Sequence, residues 1–95
     1  MTDPSLLILA SLAGSDKHGY AIMEDVERFT GVTLGPGTLY GAITRLEDRG
    51  WIRPIKARDR RQPYTLTVAG RRHLTEQLDA LNRFVSAGRA RLEQA

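Results

Sequence analysis

The 95-residue chain has no cysteine and few aromatic side chains: one tryptophan, three tyrosines and two phenylalanines. Without thiols there is no disulfide framework and no thiolate metal site. His18 and His73 fall on different predicted elements with no companion ligands nearby, so no metal site is expected. Long hydrophobic runs are missing too. The longest, LLILASLAG, falls far short of the ~20 apolar residues that a membrane span needs. No basic start with a small-residue cleavage site precedes it. The expectation is a soluble, cytoplasmic protein without a membrane partner. Catalytic constellations are equally scarce: no paired nucleophile and base, no carboxylate dyad and no Walker-type loop. Gly35-Pro36-Gly37 is not followed by the Lys-Ser/Thr that holds phosphate and Mg²⁺ in a nucleotide loop. Neither an enzyme nor a cofactor is expected.

What is present is an uneven charge. Residues 1–44 hold five acidic against two basic side chains, residues 45–72 nine basic against three acidic, and residues 73–95 three of each. A concentrated basic stretch on an otherwise balanced chain fits either a polyanion partner or a solvated basic loop. The length is that of one domain, and such a chain buries only about 60–65% of the surface its unfolded form exposes. Association between copies is therefore expected.

Along the chain, Asp3-Pro4 reads as an N-cap and first helical position, and SLLILASLA after it predicts a helix buried on more than one side. Gly14 and Ser15 end it, and Asp16-Lys17-His18 reads as a polar loop. From Gly19 to Thr30, Ile22, Met23, Val26 and Phe29 recur at helical spacing, and Gly31 stops this second helix. A third helix should start at Gly35 or Pro36 and run to about Arg49, with Gly50 as its stop. Leu39, Ile43 and Leu46 form its inner face; Thr38, Gly41, Thr44, Arg45 and Asp48 form its outer one. WIRPIKA and QPYTLT then read as a hairpin with a charged tip, which Pro54 and Pro63 would confine to a small, edge-type sheet. Thr67 is a candidate N-cap for a long last helix. There Leu74, Leu78, Leu81, Val85 and Leu92 follow a heptad-like spacing broken only by Gly88. That seam serves either packing on its own domain or a homodimer contact.

Helix, helix, helix, hairpin, long helix is the order of a winged helix-turn-helix with a C-terminal extension, mainly α with a small β-wing. The expected division is residues 1–66 as the DNA-binding unit and 67–95 as the dimerisation helix. The third helix opens on three glycines within seven residues, although glycine costs a helix interior roughly 1 kcal/mol relative to alanine. Two explanations fit. A recognition helix enters the major groove with its N-terminal end, and a bare backbone there approaches phosphates and base edges closely. Alternatively, the helix start needs a positive φ and a tight turn, with no DNA involved.

GPGTLYGAITRLEDRGWI resembles the PadR-type pattern of a Gly-Thr-Leu-Tyr start followed by Arg-Leu-Glu and a late glycine. PYTLTVAGRRHL is similar to that family's exit from the wing into its last helix, and LLILASLAGSDKHGYAIMEDV to its first two helices. The likeness covers about residues 5–92. It implies a cytoplasmic transcriptional regulator, usually a repressor, that works as a homodimer through its last helix and is often released by a small-molecule effector. DNA with an inverted-repeat operator is the implied partner.

Candidate DNA-binding residues are Tyr20, Gly37, Thr38, Tyr40, Thr44, Arg45, Arg58, Arg60 and Arg61. Thr38, Thr44 and Arg45 are placed to read base edges, where arginine bidentate to guanine is the commonest contact. Arg58, Arg60 and Arg61 at the wing tip would meet phosphates or a minor groove. Tyr40 would either bind phosphate through its hydroxyl or pack against the second helix with that hydroxyl at the rim, and Tyr20 would either contact phosphate or pack in the core. Trp51 is expected to anchor the wing to the core. The competing function is a winged-helix protein-interaction module that uses the Leu74–Leu92 seam on a different protein.

Overall fold

Local caps set where each helix begins in the computed structural model, which describes residues 3–94. Asp3 caps α1 (Pro4–Gly14), its carboxylate accepting from the Ser5 amide at 3.0 Å, with Pro4 in the first turn where no hydrogen bond is lost. His18 caps α2 (Gly19–Thr30), its Nδ1 accepting from the Ala21 amide at 3.3 Å. Gly31 ends that helix in the left-handed conformation, and Gly50 does the same one residue beyond the C-cap of α3 (Pro36–Asp48). α3 starts at Gly35 with no side-chain cap at all. Thr67 starts α4 (Val68–Gln94): its hydroxyl accepts from the Gly70 amide at 3.0 Å and donates to the Gly50 carbonyl at 2.7 Å. The four helix assignments made from the sequence hold to within a residue or two.

The sheet departs from the expected hairpin. β2 (Ile52–Pro54) and β3 (Pro63–Leu66) pair antiparallel, as the period change after Gly50 predicts. A third strand, β1 (Lys17–His18), adds to the other edge in the order β1-β3-β2, with Lys17 opposite Tyr64 and His18 opposite Pro63. Asp16-Lys17-His18 is therefore not simply a polar loop. Two residues carry no periodicity, and their pairing is decided by a strand more than forty residues on. Pro63 consequently sits in the central strand rather than an edge one. It occupies that strand's first position, where a missing N–H is tolerated, and its carbonyl still accepts from the Ile55 amide at 3.1 Å.

The core is built around α1, which packs against α2, α3, α4 and β3. Ile8, Leu9 and Leu12 meet Ile22 and Val26 of α2, Leu39, Ala42, Ile43 and Leu46 of α3, Ile52 and Tyr64 of the sheet, and Leu74 of α4. Ser11, the one buried polar side chain among these elements, donates to Asp25 at 2.8 Å, and Lys17 donates to the Ser11 carbonyl at 2.6 Å. Phe29, expected on the inner face of α2, is half exposed near the helix end. Trp51 packs against the core as expected, stacked on His73 with ring centroids 3.7 Å apart and the Arg49 guanidinium 5.3 Å from its centroid. α4 meets this wing root so closely that a Cβ on Gly70 would overlap the Trp51 carbonyl oxygen. Among the described residues, no helix is long and apolar enough to cross a membrane.

Candidate nucleic-acid interface

The first turn of α3 stands free. Gly35, Pro36, Gly37 and Thr38 are all exposed. Neither Gly35 nor Gly37 adopts a positive φ, and a Cβ on either would meet nothing within 4 Å. That removes the tight-turn explanation for these glycines: the positive-φ glycines are Gly31 and Gly50. No internal contact among the described residues requires a bare backbone at this tip.

Beyond the tip, α3 is two-faced. Leu39, Ala42, Ile43 and Leu46 are buried, while Thr38, Thr44, Arg45 and Asp48 face solvent and Gly41 lies between. The Thr44 hydroxyl donates to the Tyr40 carbonyl at 3.0 Å, so toward solvent this residue offers its methyl group and an oxygen lone pair. Arg45 lies along the same stripe, its Nη1 3.6 Å from where a Cβ on Gly41 would be.

The start of α2, the first turns of α3 and the wing converge on one cleft of about 620 Å³, lined by His18, Tyr20, Tyr40, Arg60, Arg61 and Tyr64 among others. Tyr20 and Tyr40 are about half exposed. The Tyr40 phenol lies directly over Gly19, which leaves its hydroxyl at the cleft rather than in the core. Tyr64 forms the buried floor; burial raises its phenol above the ordinary 10.0, and the Glu47 carboxylate and Tyr40 add to the rise. The wing loop is closed at its base by Gln62, whose amide donates to the Ile55 and Pro63 carbonyls at 2.9 and 2.7 Å. Its tip exposes Arg58, Arg60 and Arg61, with the Arg61 amide fixed by the Asp59 carboxylate at 2.8 Å. Among the described residues, ion pairs form only between Asp25 and Lys17 or Arg28. Among the described residues, the wing arginines and Arg45 thus form no ion pair with a carboxylate.

Tyr20, Tyr40, Arg60 and Arg61 are therefore brought together. Gly37, Thr38, Thr44 and Arg45 occupy the adjoining exposed side of α3, and Arg58 sits farther out on the wing. His18 and Tyr64 also belong to this cleft, and the sequence reading did not place them there. The capping role of His18 has a local signal, a hydrogen-bonding side chain just before Gly19; its contact with Arg61, at 3.2 Å and 43 positions away, has none.

On α4, Leu74 is turned into the chain's own core at 5% exposure, so the free seam begins only at Leu78. Leu78 and Val85 are about half exposed, Leu92 more so, and Leu81 is partly buried. Phe84, not counted in the seam, is 74% exposed.

Three packed helices with a β-wing on the following hairpin make this a winged-helix fold with an added C-terminal helix. The family model of the PadR-like transcriptional regulators matches residues 8–76, and the chain belongs to that family, one of transcription regulators and not of enzymes. It is 42% identical over 81 residues to an uncharacterized 37.1 kDa protein in transposon TN4556 of Streptomyces fradiae, covering 85% of this chain and 24% of that one. The chain thus spans about a quarter of that relative's length. It is 39% identical over 80 residues to the transcriptional regulator Rv3488 of Mycobacterium tuberculosis, covering 80% of this chain and 73% of that protein. The crystal structure of a PadR family transcription regulator from Clostridium difficile R20291 superimposes with a TM-score of 0.77 at 27% identity, over 88% of this chain and 91% of the other.

Proposed function

We propose that this chain is a cytoplasmic, dimeric, sequence-specific DNA-binding regulator that represses transcription and is released from its operator by a small-molecule effector. The observation that carries this reading is the convergence of the bare α3 tip, two half-exposed tyrosines and the unpaired wing arginines beside one cleft. A recognition helix meets DNA with its N-terminal residues, and the α3 tip has free amide donors with no side chain in the way. Arg45 is placed for a guanine edge, and the Thr44 methyl for a thymine methyl. Arg58, Arg60 and Arg61 would follow the backbone or enter the minor groove, where arginine reads groove width more than sequence. Tyr20 and Tyr40 would donate to phosphates.

Dimerisation is supported by the free apolar strip on α4, where Leu78, Phe84, Val85 and Leu92 have no partner within the subunit's core. In this arrangement residues 1–66 read DNA and residues 67–95 pair the subunits. Effector control is supported by a second cavity, about 300 Å³, behind α3 between α1 and α4, lined in part by Leu6, Leu9, Arg45, Trp51, His73 and Gln77. Arg45 belongs both to that wall and to the solvent-facing stripe, so a ligand there would act on a base-reading side chain.

Selection of duplexes from a random pool tests the reading. Two recognition helices set about 34 Å apart, or a multiple of it, should enrich an inverted repeat with matching half-site spacing. Enrichment of no duplex by the purified chain, with a monomer in sedimentation, would favour a module that binds another protein through α4.

A further inference from the structure

We infer that His18 is a ligand for one phosphodiester of bound DNA and shares that phosphate with Arg61; the inference rests on the DNA-binding reading above. The ground for it is a conflict of hydrogen-bond donors. His18 Nδ1 accepts the Ala21 amide at 3.3 Å, while Nε2 of the same ring lies 3.2 Å from Arg61 Nη1. A guanidinium has donors only, and a neutral imidazole has one donor nitrogen and one acceptor nitrogen. With Nδ1 as the acceptor, Nε2 carries the hydrogen and points it at another donor. The other tautomer gives Arg61 its acceptor but turns an N–H toward the Ala21 amide. A charged ring loses both acceptors and places a second positive charge beside the first. In no protonation state does the ring satisfy both neighbours.

An anionic oxygen set between Nε2–H and Nη1 removes the conflict at once. Both groups then donate to it, and Nδ1 keeps its place as the cap of α2. Among the described residues no carboxylate forms an ion pair with the Arg61 guanidinium. Asp59 is engaged with the Arg61 backbone amide, and Asp25 is engaged with Ser11, Lys17 and Arg28. There is room for a phosphate, because both groups line the 620 Å³ cleft with the Tyr20 and Tyr40 side chains. A DNA phosphodiester rather than a free anion is the occupant, since the cleft adjoins the α3 tip and runs from α2 to the wing.

Two substitutions separate the ring's two jobs. His18→Asn keeps a capping oxygen near Nδ1 and deletes the outward donor. His18→Gln keeps an outward amide and loses the cap. The probe is a duplex that the wild-type chain enriches from a random pool, together with versions carrying a single neutral methylphosphonate at successive backbone positions. His18→Asn should melt like the wild type and bind the unmodified duplex about 10-fold more weakly, the effect of one hydrogen bond to a charged group. His18→Gln should melt lower yet bind more tightly than His18→Asn. One methylphosphonate position per half-site should weaken the wild type most, weaken His18→Asn and Arg61→Ala less, each having one donor left, and leave the double variant His18→Asn with Arg61→Ala unaffected. Wild-type affinity in folded His18→Asn, reduced sensitivity at different positions for the two single variants, or full sensitivity kept by the double variant would overturn the shared phosphate while leaving DNA binding intact. A wild-type chain that enriches no duplex would overturn the DNA-binding reading and this inference together.

Discussion

The Tyr40 phenol rests on the α-carbon of Gly19, so closely that a methyl group there would come within 2.5 Å of its hydroxyl. Gly70 stands in a similar relation to Trp51, but what faces it is the Trp51 carbonyl, part of the main chain. The same substitution should therefore act differently at the two sites. Gly19→Ala displaces the free end of a half-exposed side chain and should cost no more than about 1 kcal/mol, while moving the Tyr40 hydroxyl and weakening DNA binding severalfold. Gly70→Ala forces main chain apart and should cost about 1–3 kcal/mol, lowering the melting midpoint by several degrees or more. Melting curves paired with DNA titrations check both.

The wing arginines form no ion pair with a carboxylate among the described residues, so their charge is free for phosphates. Each phosphate neutralised on duplex DNA contributes about 0.9 to the slope of log affinity against log salt. Arg60→Ala combined with Arg61→Ala should flatten that slope by up to about 1.8 and weaken all duplex sequences alike. Identical slopes for wild type and double variant would remove the wing from the interface.

On α4, Leu78 and Phe84 are exposed in the subunit, whereas Leu74 is held in its core. Leu78→Glu with Phe84→Glu should leave the fold and its melting cooperativity in place and convert a dimer to a monomer in sedimentation. Leu74→Ala should instead destabilise the subunit by about 2–5 kcal/mol, as a buried leucine does. A double variant that sediments like the wild type would rule out this strip as the dimer contact.

Tyr64 gives a pH signature. Its phenol is raised above 10.0 in the fold by burial first and then by Glu47 and Tyr40, so the unfolded chain releases that proton more readily. The stabilisation is full below 10.0 and is lost as pH climbs through the raised folded value. Melting midpoints should fall across that alkaline range in the wild type, and less steeply in Tyr64→Phe.

How much of this was legible in the sequence follows from how local each signal is. Helix ends were readable because Asp3-Pro4, Gly31, Gly50 and Thr67 act within a few residues of the boundary they set. The α3 tip was readable because its glycines are anomalous for a helix. β1 was not, since Lys17 and His18 become a strand only through Tyr64 and Pro63. The exposure of Phe29 and the burial of Leu74 depend on where α1 lies over each helix, which spacing alone does not give. The cleft partners His18 and Arg61 are joined by the fold and by nothing in their sequence neighbourhoods.

The most direct test of the α3 tip and wing as the DNA-facing surface is the pattern of amide chemical-shift changes when the labelled protein is titrated with its selected duplex. Gly35, Gly37, Thr38, Tyr20, Tyr40 and the wing from Arg58 to Arg61 should move together, and the end of α4 should stay still. Shifts confined to α4, with the tip and wing unmoved at saturating duplex, would contradict it.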